Sequence, residues 1–96
     1  MSKKYKFNKN ITTRYESRIG TDGMYFLFNT QSGEFWTGNT SSYVLLNNFR
    51  YKISIEKAIK ESLEYFEVDK ISLETTLNQM IEDLVKKGFI DEYDGE

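Results

Sequence analysis

The side chains that could do chemistry in this 96-residue chain are carboxylates, lysines, arginines and hydroxyls, because it contains no histidine and no cysteine. Thiol nucleophiles, zinc-finger sites and histidine acid–base catalysis are therefore excluded. The sequence also forces no pair of carboxylates onto one face around a pocket. We therefore predict a protein that is not an enzyme and holds neither a metal nor a cofactor, so that its chemistry is that of binding.

The stretch MYFLFNTQSGEFWTGN, residues 24–39, is the best candidate for a binding element. Residues 24–28 and 34–37 are aromatic-rich runs of the kind that forms half-buried strands. Residues 29–33 between them are turn formers, and Gly33 suits the left-handed position of a hairpin loop with a bulge. No obvious strand follows the second run. We therefore predict a sheet edge with free backbone N–H and C=O groups, which must be protected or used.

The segments around this hairpin predict the fold. Residues 11–19 are a weaker strand candidate, with Ile11, Thr13 and Tyr15 on one face, and the turn 20–23 joins them to the hairpin. Apolar residues recur at helical spacing in three later segments: 40–49, 54–66 and 72–87. Strands followed by helices predict an α+β class, with a three-stranded antiparallel sheet and then three helices in a winged-helix-like arrangement.

Several residues mark the predicted helix ends. Asn39 or Thr40 is the expected N-cap of the first helix, and Ser54 that of the second. Gly88 stands where a left-handed C-cap of the third helix belongs, after Lys86 and Lys87. Phe89 and Ile90 are expected to pack back as an extended tail.

Length and charge suggest one domain, residues 1–96, with flexible ends at 1–10 and 91–96. Residues 1–18 hold six basic residues against one acidic, and residues 91–96 hold four acidic residues. Two readings stay open: solvated ends, or a basic arm that steers an acidic partner. No apolar run reaches the length of a membrane span and the N-terminus lacks a signal-peptide core, so we expect a cytoplasmic protein.

The order of these elements resembles the PqqD-like family of peptide-binding domains, also called RiPP recognition elements, over about residues 11–90. The resemblance lies in the segments FLFNTQSGEFWTGNTSSYVLL and LNQMIEDLVKKGFI. The positions that match the family pattern are Ser32-Gly33, Trp36, Asn39, Leu45, Leu84 and Gly88-Phe89-Ile90. The chain departs from the family at Gly38, where a Leu is usual, and at Phe49-Arg50-Tyr51, which replaces an Asp-Gly-type turn. The free-standing form is most similar to the lasso-peptide and PqqD subgroups.

This resemblance implies a non-catalytic protein that binds the leader of a ribosomally synthesised precursor peptide by β-augmentation. The leader would pair with the third strand and lie in a groove beside the third helix. The residues implied are Glu34, Phe35, Trp36, Thr37, Gly38, Asn78, Ile81, Glu82 and Val85. The partners implied are the leader and a peptide-modifying enzyme or leader protease, and we expect no nucleic acid and no membrane. The open edge also predicts a monomer or weak homodimer.

Alternatives stay open for individual residues and for the whole chain. One of Phe35 and Trp36 must face the core and the other must face outward. Ile81 and Val85 line a groove or pack against the other helices. A winged-helix-like fold also suggests DNA binding, but residues 72–88 carry three acidic residues against two basic ones, which opposes phosphate binding.

Overall fold

The computed structural model describes residues 3–94, which form six β-strands and three α-helices. In chain order the elements are β1 Lys4–Phe7, β2 Ile11–Arg18, β3 Thr21–Asn29, β4 Phe35–Gly38, α1 Thr40–Leu46, β5 Ile53–Ser54, α2 Ile55–Ser62, α3 Lys70–Lys86 and β6 Ile90–Tyr93. The predicted α+β class is confirmed, and so is a three-stranded antiparallel sheet followed by three helices. Among the helices of residues 3–94, none combines the length and apolarity that crossing a bilayer requires.

The strands β2, β3 and β4 form the predicted antiparallel meander, in that order. Gly33 has a φ of 82°, so it occupies the left-handed position predicted for the hairpin loop. Ile11 and Tyr15 of β2 both pack against the core, as their shared face predicts. Thr13, on the same face of β2, is exposed, so the contact with the core rests on Ile11 and Tyr15.

A second antiparallel sheet was not predicted, and it corrects the expectation of flexible ends. Its strand order is β5-β1-β6, so the N-terminal strand is the central one. Phe7 of β1 is buried in the core, and it pairs with the buried Ile90 of β6. Residues 4–7 and 90–93 are therefore ordered strands, whereas residues 1, 2, 95 and 96 lie outside the described residues.

Opposite charges face each other in this second sheet. Lys6 of β1 stands opposite Asp91 of β6, and the Lys3 ammonium lies 2.9 Å from the Glu92 carboxylate. The Asn8 side-chain amide donates to both carboxylate oxygens of Asp91, each at 3.2 Å. The uneven charge of the two ends thus marks two strands that pair with each other.

The helices begin at capped positions. The side-chain oxygens of Asn39 and Ser54 accept hydrogen bonds from the backbone N–H of the third residue of their helices, Ser42 and Lys57, which confirms both predicted N-caps. The third helix begins two residues earlier than predicted because Asp69 caps it. Gly88 follows its end with a φ of 82°, as predicted. The last turns of the first two predicted helices are 3₁₀ helices, Asn47–Arg50 and Leu63–Tyr65.

One hydrophobic core joins both sheets to the helices. The helix α1 packs on β3, α2 packs on α3, and α3 packs on β6. The largest fully buried apolar side chains come from both sheets, from all three helices and from the segments next to them: Tyr25, Phe49, Phe89, Leu27, Leu45, Leu46, Ile59, Leu77, Leu84 and Ile90. Because β1 and β6 contribute to the same core, the second sheet is part of what holds the meander in place.

The Tyr25 hydroxyl is the one buried side-chain polar atom with no hydrogen-bond partner among residues 3–94. Burial raises the pKa of Tyr25 well above its ordinary value. Removing a buried, unpaired hydroxyl removes a desolvation penalty, so we expect Tyr25→Phe to raise the free energy of unfolding by about 1 kcal/mol. Urea denaturation measures this change. Tyr15→Phe is the matched control, because the Tyr15 hydroxyl lies 2.9 Å from Thr40 Oγ1 and its loss should destabilise the protein. Destabilisation by Tyr25→Phe would contradict the prediction.

The Asp69 cap gives α3 a pH-dependent first turn. Hydrogen bonds from Ser72 to the Asp69 carboxylate lower the pKa of Asp69. A depressed folded-state pKa means that the stabilisation is complete above the ordinary Asp value and is lost as pH falls through the lowered one. We therefore expect the protection of the Ser72 amide, which is its exchange rate relative to that of an unstructured amide at the same pH, to fall during an acid titration. Asp69→Asn retains a capping oxygen but has no carboxylate to titrate, so the pH dependence of the Ser72 amide should disappear in this variant. The same pH dependence in Asp69→Asn as in the wild type would contradict the role of the Asp69 carboxylate.

Candidate functional site

The exposed strand β4 lies at an edge of the meander. Its side chains alternate: Phe35 is 68% exposed, whereas Trp36 is partly buried and packs against the core. This alternation settles the open choice between the two aromatics. Phe35 and Thr37 lie on the outer face of the sheet, and Trp36 and Gly38 lie on its core face, opposite Leu27 and Tyr25.

The direction of each backbone group on β4 follows from its pairing with β3. The Asn29 N–H donates to the Glu34 carbonyl at 2.8 Å, so these two residues form a hydrogen-bonded pair. Hydrogen-bonded and non-hydrogen-bonded pairs alternate in an antiparallel ladder. Trp36 is therefore bonded to Leu27, two positions further along. Phe35 and Thr37 consequently direct their N–H and C=O groups away from β3, towards the open edge.

The edge strand β4 differs in chemistry from the other edge strands. Natural sheets protect their edges with charged residues, bulges or very short strands. The strand β2 carries charged residues and a register shift between Glu16 and Arg18, and β6 carries Asp91 and Glu92. The strand β5 has only two residues. In contrast, β4 has the sequence FWTG, with no charged residue and no proline. Of the edges in residues 3–94, this one is the best suited to accept another strand.

The end of β4 explains one departure from the resembled family. A Cβ atom at Gly38 would lie 2.7 Å from Ser42 Cβ and 2.8 Å from Cη2 of Trp36. A leucine at this position would therefore collide with α1 and with the indole. The indole thus lies over Gly38 and covers the core face of the edge there.

The predicted residues of α3 lie together, but they face a different part of the molecule. Asn78, Ile81, Glu82 and Val85 line one groove of about 470 Å³. Its other walls come from the second sheet and the start of α2, through Tyr5, Glu92 and Ile55. No residue of β4 lines this groove. The nine predicted residues therefore form two separate groups and not one groove. One group is residues 34–38, and the other, which we call the α3 flank, is Asn78, Ile81, Glu82 and Val85.

Ile81 lines this groove only from beneath, because its side chain is part of the hydrophobic core. It is 2% exposed, so a charge at this position would be buried without a partner. We expect Ile81→Glu to lower the free energy of unfolding by about 3 kcal/mol or more, which would mask any effect on binding. Gln79→Glu places the same residue on an exposed position of the same helix and should change stability by less than about 0.5 kcal/mol. Urea denaturation of both variants tests this; equal stability would contradict the burial of Ile81.

A larger cleft of about 660 Å³ lies between the end of α1 and α2, and sequence reasoning missed it. Arg50, Tyr51 and Lys57 are among its lining residues, and the Arg50 guanidinium lies 5.4 Å from the centroid of the Tyr51 ring. The Asn48 side chain also lines this cleft. It donates hydrogen bonds to the Val44 carbonyl of α1 and to Ser62 Oγ of α2, and so links the two helices. The Phe49-Arg50-Tyr51 departure from the family turn was the available signal for this feature.

What residues 3–94 present for binding is therefore an open, uncharged strand edge and two separate clefts. Compared with protein-family models, curated proteins and solved structures, the chain matches none of them.

Proposed function

We propose that this chain is a non-catalytic, cytoplasmic peptide-binding protein that takes up the leader of a ribosomally synthesised precursor as an added strand on β4. It then presents that peptide to a maturation enzyme. The observation that carries the proposal is the uncharged edge at which Phe35 and Thr37 direct their backbone groups outward. The sequence resemblance supports a leader as the particular peptide.

The number of free backbone groups limits what the edge alone contributes. Phe35 and Thr37 offer two donors and two acceptors. At about 1 kcal/mol net for each hydrogen bond, a complete ladder contributes about 4 kcal/mol, which corresponds to roughly millimolar affinity. Ordering the peptide reduces this further. Useful affinity therefore requires side-chain contacts next to β4 in addition to the ladder.

Hydrogen exchange of the backbone amides tests the proposal at single-residue resolution. In the free chain the Trp36 amide should exchange slowly, because it is bonded to Leu27, whereas the amides of Phe35 and Thr37 should exchange quickly. The ligand to add is the N-terminal segment of a short precursor peptide whose gene neighbours the gene of this chain. Binding should slow exchange at Phe35 and Thr37 and leave Trp36 slow. Large NMR shifts confined to residues 54–66 would contradict the proposed edge.

The absence of catalysis has a separate test. Incubation of this protein with that full precursor should leave the mass of the precursor unchanged, and a change should require the partner enzyme. A mass shift produced by this protein alone would overturn the non-catalytic part of the proposal.

A further inference from the structure

Three phenylalanines lie side by side on the outer face of the meander, the face turned away from the helices. Phe26 and Phe28 belong to β3, and Phe35 belongs to β4. Phe28 is 41% exposed and Phe35 is 68% exposed, whereas Phe26 is half-buried. We call this cluster the outer aromatic face. Large exposed apolar side chains that adjoin one another mark binding surfaces more often than scattered ones do.

The register places this face against the open edge. Phe28 and Phe35 stand directly opposite each other, and they form a non-hydrogen-bonded pair, in which side chains approach most closely. A strand added to β4 continues the same alternation of faces. The residue of the added strand that stands beside Phe35 therefore lies on the outer face, in line with Phe35 and Phe28. Its next residue lies abreast of Trp36, on the core face.

We infer that the outer aromatic face selects the peptide, and that the bound strand carries an aromatic or branched apolar residue abreast of Phe35. This inference rests on the proposed function. Thr37 follows Phe35 on the same face, so the ligand residue abreast of Thr37 is small or β-branched. The ligand class is thus an extended peptide segment. One of its apolar residues lies beside Phe35 on the outer face, and the residues before and after it in the peptide point to the core face.

Two observations favour a peptide strand as the occupant of this face. The face is continuous with β4, which among the edge strands of residues 3–94 is the only one of more than two residues that lacks both charged residues and a register shift. The backbone ladder of two outward residues is also too short to give useful affinity without side-chain contacts. An apolar residue beside Phe35 supplies the missing contacts, because aromatic cross-strand pairs are among the most favourable.

The experiment is a selection from a display library of random peptides about twice as long as a mean strand. The baits are the wild-type chain, Phe35→Thr, Thr37→Pro and Tyr65→Thr. Threonine keeps a high strand propensity at position 35, so Phe35→Thr should remain folded. Tyr65 is 66% exposed and lies outside the meander, so Tyr65→Thr is the matched control for loss of an exposed aromatic.

Peptides selected by the wild-type chain are expected to share one apolar position and to bind Phe35→Thr about tenfold more weakly. They should bind Tyr65→Thr unchanged and should be lost with Thr37→Pro. Peptides that need the Thr37 amide but have no shared apolar position, or that bind Phe35→Thr equally well, would overturn this inference and leave the proposed function standing. Peptides indifferent to Thr37→Pro would overturn both. A stable dimer that Phe35→Thr dissociates and peptide does not would assign the face to a second copy, and would also overturn the inference.

Discussion

Phe7→Ala is expected to lower the free energy of unfolding by about 3–5 kcal/mol, because it removes a buried aromatic side chain from the core. Phe7 lies on the central strand of the second sheet and pairs with Ile90. A loss of this size is comparable with the total stability of many small domains. Deletion of residues 1–8 removes the whole strand and leaves β5 and β6 without the strand between them. We expect that truncated chain to lose cooperative unfolding altogether.

Urea denaturation followed by circular dichroism measures both effects. Lys6→Ala is the matched control, because Lys6 is exposed on the same strand and its loss should change stability by less than about 0.5 kcal/mol. If Phe7→Ala and Lys6→Ala were equally stable, the N-terminal segment would be the flexible arm that its composition suggests. That outcome would reject the second sheet.

The second sheet could not be predicted because its signal is not local. Residues 3–10 alternate lysine and asparagine with two aromatics, and no turn leads from them to a neighbouring strand. Their partner strand lies at the other end of the chain, and the Asn8–Asp91 contact spans 83 positions. Residues 4–8, KYKFN, alternate as a strand does, but alternation does not show which strand is the partner. Local patterns show pairing through hairpin turns, and no hairpin turn joins β1 to β5 or β6. The opposite charges of the two ends were the only sequence signal that β1 pairs with β6, and charge alone does not specify which strands pair.

The meander and the starts of the first two helices were predictable because each depends on neighbouring residues. Gly33 and Asn39 act within a few positions of themselves, through a left-handed turn and a capping oxygen. The orientation of Phe35 was not predictable, since alternation shows that two residues face opposite sides but not which is which. The choice is fixed by β3, where Leu27 is fully buried opposite Trp36. The α3 flank was identified as a group, but a helical period does not tell which sheet the flank faces.

Thr37→Pro is expected to weaken peptide binding by tenfold or more while the protein stays folded. Proline removes the outward N–H of Thr37, and it leaves a carbonyl of the bound peptide without a donor, which costs about 1–3 kcal/mol. An edge strand tolerates proline where the missing N–H pointed to solvent. The residue before proline must be extended, and Trp36 already is, because it lies within β4. Thr37→Ala keeps the N–H and removes only the side chain, so it should retain most of the affinity.

Proline should have different effects at Phe35 and at Trp36, because the N–H groups of these two residues point in opposite directions. Phe35→Pro removes the other outward donor, so it should abolish binding in a folded protein, and Phe35→Ala shows how much of that loss comes from the ring. Trp36→Pro instead removes a donor that bonds to Leu27 and a side chain that packs against the core, so it should unfold the meander. Urea denaturation distinguishes the two outcomes, and peptide titration then applies only to the folded variants. If Trp36→Pro stayed folded and lost binding while Phe35→Pro kept it, the outward groups would be those of Trp36, and the register of β4 on β3 would be wrong by one residue.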